Sequence, residues 1–100
     1  MIHKSQEIPV RSKTEMLYDI IKVIHFLHEG DRKAAEPLIR NLKVRAMYLD
    51  EQIQQDVLIF SEQVQFQYNY DPWHKISQEV RKAADKLIYD LGFLHLVEAS

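Results

Sequence analysis

Chemistry in this chain would first be sought at His25, His28 and Glu29, which fall on neighbouring positions of a helix and whose imidazoles suit zinc, copper or nickel. The spacing argues against a centre. His28 falls inside an apolar arc between Ile24 and Ile21, His25 falls just beyond its edge, and a third ligand would have to come from distant His3, His74, His95 or a carboxylate. No His-Glu-x-x-His pattern is present, so no metal is expected and the two histidines are read as one partly buried and one edge residue. Asp71 and His74 could pair as acid and base, but their positions fit the start of a helix better.

Other catalytic frameworks are missing. The two glycines, Gly30 and Gly92, cannot build a phosphate-cradling loop, and no Gly-x-Ser-x-Gly elbow occurs. The absence of cysteine excludes a thiolate nucleophile, a thiolate zinc site and a disulfide framework. The expectation is a protein that is not an enzyme, holds no cofactor and works by binding.

Two groups of residues could carry binding. Arg40, Lys43 and Arg45, with Arg32 and Lys33 upstream, could hold phosphates of a nucleic acid, positioning the backbone rather than reading bases. A net charge of −2 lacks the cationic excess of a sequence-independent nucleic-acid binder, so this is the secondary reading. The primary one is a protein interface. Phe66, Tyr68, Tyr70 and Trp73 concentrate four aromatics in eight residues, and large amphipathic rings bury much area for little lost rotamer freedom. Trp73 fits a buried helical stripe, which leaves Tyr48, Ile59, Phe66, Tyr68 and Tyr70 as the expected partner contacts.

The elements that must position these residues are helical. One hundred residues, 46% apolar and 28% charged, with two glycines, describe a single globular domain and argue against a disordered chain or a turn-dense all-β fold. Residues 1–11 contain Pro9 and no helical period, and are expected to form a tail or extended arm ahead of a domain spanning 12–100. Ser12 and Glu15 fit a capping box opening a first helix that ends at Gly30 and buries Met16, Leu17, Ile20, Ile21, Val23, Ile24 and Leu27. Asp31 caps a second start, with a kink expected near Pro37.

Leu42, Ala46, Leu49, Ile53, Val57, Phe60 and Val64 then step by three or four, which predicts one long helix over 42–66. A second apolar row, Tyr48, Ile59 and Phe66 with Met47 and Leu58 beside it, lies on another flank of that helix. A rod apolar on two flanks must be sandwiched or pair with another chain, so a homodimer is expected. Asp71 as N-cap, Pro72 at the first turn and Gly92 as the stop predict a last helix carrying Trp73, Ile76, Val80, Ala83, Ala84, Leu87, Ile88 and Leu91 inward, followed by an apolar tail, Phe93 to Val97.

The fold expected is therefore an all-α antiparallel bundle of three main helices with a long central one. An α+β alternative follows from the alternation of Val64 to Tyr70, which suits a strand over 64–70 paired with 93–97. Residues 1–45 are net basic, while 46–70 hold no basic residue, an imbalance that suits head-to-tail pairing of two subunits. Lys4 and Glu7 interrupt any signal peptide, and Lys22 and His25 break the apolar stretch from Ile20 to Leu27, so the expected location is the cytoplasm and no membrane partner is foreseen. The protein is expected to be a small adaptor of the inhibitor, immunity or assembly-subunit kind.

Overall fold

The computed structural model describes the backbone of residues 2–70 and 76–93, and the side chains of 12–69 and 76–93. Among the described residues four helices form a packed bundle, α1 (Ile2–Glu29), α2 (Arg32–Ala46), α3 (Glu51–Tyr70) and α4 (Gln78–Asp90), and no strand occurs. The all-α class holds, with four helices where three were expected. Neighbours in sequence are neighbours in space: α1 packs on α2, α2 on α3, and α3 on α4.

α1 begins at Ile2 rather than at Ser12, so residues 2–11 are helical rather than extended. Lys4, Gln6, Glu7 and Arg11 are good helix formers, and they continue the helix through Pro9 despite its missing N–H. Ser12 and Glu15 are consequently not a cap. They sit along α1 and receive Arg45 of α2, whose Nη1 donates to Ser12 Oγ at 3.5 Å and whose Nη2 pairs with the Glu15 carboxylate. Met16, Leu17, Ile20, Val23 and Leu27 form the buried stripe, while Ile21 is exposed and Ile24 only partly covered.

Gly30 ends α1 with a φ of 75°, a conformation only glycine adopts without strain. The Asp31 N–H donates to Phe26 O and the Gly30 N–H to Leu27 O, the paired bonds of a Schellman stop. Asp31 then caps α2 by accepting from the Ala34 N–H at 3.1 Å. α2 runs through Pro37 without interruption and buries Ala35, Leu42 and Ala46.

The long rod expected over 42–66 is broken. α2 stops at Ala46, the bonds of Met47, Tyr48 and Leu49 tighten to the third residue back, and α3 restarts at Glu51. The cause is capping chemistry within the turn. Asp50 Oδ1 accepts from the Ile53 N–H at 3.0 Å, and the Gln54 amide donates to the Leu49 carbonyl, so groups left open by the break are satisfied locally. α3 continues through residues 64–70, which replaces the strand alternative: Val64, Gln67 and Tyr68 share the inner face at spacings of three and four. Of its proposed partner strand, Phe93 packs on the core and 94–97 lie outside the described residues.

α4 also starts later than expected. Ile76 and Ser77 precede it in non-helical conformation, and Ser77 is the cap, its Oγ accepting from the Val80 N–H at 3.1 Å. Asp71, Pro72, Trp73 and His74 lie outside the described residues. Gln67 of α3 fixes this start by accepting from the Ser77 N–H at 2.8 Å. Val80, Ala83, Ala84, Leu87, Ile88 and Leu91 face inward, and Gly92, with φ of 97°, ends the helix in a second Schellman stop. The inner faces of all four helices merge into one core in which Phe60 is the largest fully buried side chain. No helix among the described residues is long and apolar enough to cross a membrane.

Candidate interaction surface

Because the chain turns at Met47–Asp50, the inner apolar row of residues 42–64 folds into one core while the outer row is left facing solvent. Met47 is 70% exposed, Tyr48 76%, Leu58 53% and Ile59 46%. Val44, passed over in the sequence because it sits between Lys43 and Arg45, joins them at 52%. Its signal was its place three and four residues before Met47 and Tyr48.

Of these, Val44, Met47 and Leu58 border a groove of about 290 Å³ between α2 and α3. Val44, Ala46 and Met47 form one wall, Val57 and Leu58 the other, and Arg40, Lys43 and Gln54 the lip. Five of the eight side chains that line it are apolar.

Arg40 and Lys43, two of the three expected phosphate contacts, are exposed on this lip, and neither pairs with a carboxylate among the described residues. Arg45 does not join them. Five residues beyond Arg40, it points about 140° away around the helix and is taken up by Ser12 and Glu15 of α1. The three-cation cluster is thus reduced to two. Beside Arg45, burial holds the Asp19 carboxyl above its ordinary range, opposed by the Arg45 and Lys22 charges.

The remaining expected contacts separate. Ile59 faces away from the groove toward α4, where with Gln63, Glu79, Lys82 and Ala83 it borders a second hollow of about 270 Å³. Asp56 and Lys86 reach the same hollow. Asp56 is buried, accepts from the Gln52 amide at 3.0 Å and lies 3.4 Å from Lys86 Nζ. Burial, then contact with the Asp90 carboxyl, pushes the Asp56 carboxyl above its ordinary value, while the same contact and Lys86 hold Asp90 below its own.

Phe66 is exposed on the outer face of α3. Tyr68 is not on the surface. It is buried in the core beneath α2, with the Arg32 guanidinium 5.6 Å from its ring centre, because the α-helical period places it with Val64 and Phe60. Tyr70 ends α3, and its side chain lies outside the described residues.

His25 and His28 are both exposed, which corrects the half-buried position expected for His28. His25 makes an edge contact with Phe26. Among the described residues no group of three metal-ligating side chains converges. Comparison of the chain with protein-family models, with curated proteins and with solved structures finds no match.

Proposed function

We propose that this chain is a protein-binding module that acts through surface complementarity, with the outward apolar row across α2 and α3 as its contact face. The observation that supports this reading is the pairing of a single core with large apolar side chains left outside it, Val44, Met47 and Tyr48 at the end of α2 and in the turn after it, and Leu58 and Ile59 on α3. Such side chains lower solubility when uncovered, and a polypeptide partner removes them from water at about 25 cal/mol per Å².

The test is a pair of charge insertions, Leu58→Glu and Ile59→Glu. Both positions are exposed, so helical circular dichroism stays near the parent's while association, read by sedimentation velocity, is lost. A variant that unfolds instead identifies its residue as core and removes it from the interface. Nucleic acid is the competing partner for the Arg40 and Lys43 lip. Retardation of DNA or RNA at low salt that vanishes in Arg40→Glu/Lys43→Glu would replace the protein-binding reading.

A further inference from the structure

We infer that the groove between α2 and α3 is occupied by the outer face of α3 from a second copy of this chain, in a two-fold dimer whose register is set by charge. This rests on the protein-binding reading above and names the partner. The lip of the groove is cationic, with Arg40 and Lys43 exposed and without an acidic partner among the described residues. A fitting occupant is an amphipathic helix with apolar side chains flanked by carboxylates and no cation of its own.

α3 has that composition. Leu58 projects outward between Glu51 and Glu62, both exposed and unpaired among the described residues, and the whole of Glu51–Tyr70 contains no Lys or Arg. α4 does not fit, since Lys82 and Lys86 stand on its exposed side and would meet the cationic lip. Leu58 is both a wall of the groove and part of the face that would enter the partner's groove. A two-fold axis near it lets each copy bring acids to the other's lip and closes the assembly at two chains rather than a fibre.

Sedimentation equilibrium on the full chain, with circular dichroism as the control for folding, tests this through a charge swap. Arg40→Glu/Lys43→Glu and Glu51→Lys/Glu62→Lys each turn symmetry-related attractions into repulsions, and each weakens self-association about tenfold or more. Mixing the two variants restores a dimer, because in the mixed pair both sets of contacts are again of opposite sign. Raising salt weakens the parent dimer. A dimer that ignores both charge reversals yet falls apart in Leu58→Glu overturns the charge-set pairing and leaves the apolar-face reading standing. A dimer indifferent to Leu58→Glu as well overturns both. A parent chain that stays monomeric up to high micromolar concentration overturns self-pairing and leaves the face to a different protein.

Discussion

The two faces of α3 break the rule of apolar inside and polar outside in opposite directions. The inner face carries Phe60, Val57 and Val64, but also the Asp56 carboxyl, the Gln67 amide and the Tyr68 hydroxyl; the outer face carries Glu51 and Glu62, but also Leu58, Ile59 and Phe66. Two of the three inner exceptions are tied into the fold. Gln67 holds the start of α4 through Ser77, and Asp56 meets Lys86. Leu58 and Ile59 stay exposed on the outer face, and we propose that association covers them.

The largest effect that sharpens this contrast is expected inside. Phe60→Ala removes the largest buried side chain and should cost about 3–5 kcal/mol in urea unfolding. Leu58→Ala, two residues earlier on the outer face, should stay within about 0.5 kcal/mol at concentrations low enough to keep the chain monomeric. Equal losses at the two positions would mean that Leu58 is covered within the monomer, and the contrast between the faces would collapse. Next in size is Gln67→Leu. It keeps the bulk but leaves the Ser77 N–H without its acceptor, at a cost of about 1–3 kcal/mol.

A smaller effect depends on pH and comes from Asp56. Its carboxyl is held above the ordinary value of 3.8, first by burial and then by the Asp90 contact, so the proton-bearing form suits the folded state. One of its oxygens, Oδ2, has no hydrogen-bond partner among the described residues. The stabilisation is therefore complete below 3.8 and is lost as pH rises through the raised folded value. Asp90, held low, contributes in the opposite sense, losing its part as pH falls through its own lowered value. Asp56→Asn keeps a donor and cannot ionise. Relative to it, the parent's urea midpoint should fall as pH rises above 3.8, and a difference that stays constant with pH would show that Asp56 is ionised at no net cost.

The elements most legible in the sequence were those with local punctuation. Gly30 and Gly92 stop their helices where the positive φ requires glycine, and the stripes of α1 and α4 repeat every three to four residues up to those stops. The break at 47–50 was hidden because Met47 keeps helical angles, φ −60° and ψ −22°, so that Leu42, Ala46 and Ile53 stay in phase across the turn and all reach the core. Asp50, three residues ahead of Ile53, was its only local signal. Arg45 was grouped with Arg40 and Lys43 by proximity along the chain, although the helical period turns it toward α1. Tyr68 was misplaced for a related reason: alternation over 64–70 suited a strand, and only the helical register shows it inside.

That inward tyrosine gives the smallest expected change on the inner face. The Tyr68 hydroxyl is buried with no partner among the described residues, so it is desolvated without compensation. Tyr68→Phe keeps the ring under the Arg32 guanidinium and should raise stability near neutral pH by up to about 1 kcal/mol. Alkaline pH widens the gap. Burial, with Asp31 adding and Arg32 opposing, pushes the phenol from 10.0 up to about 12. Between those values the unfolded chain releases the proton and the folded chain keeps it, so the parent loses stability as pH rises from 10 to 12, a loss that Tyr68→Phe escapes. A phenylalanine variant less stable than the parent at neutral pH would show that the hydroxyl is bonded after all, and the inner face of α3 would then hold no uncompensated polar group at this position.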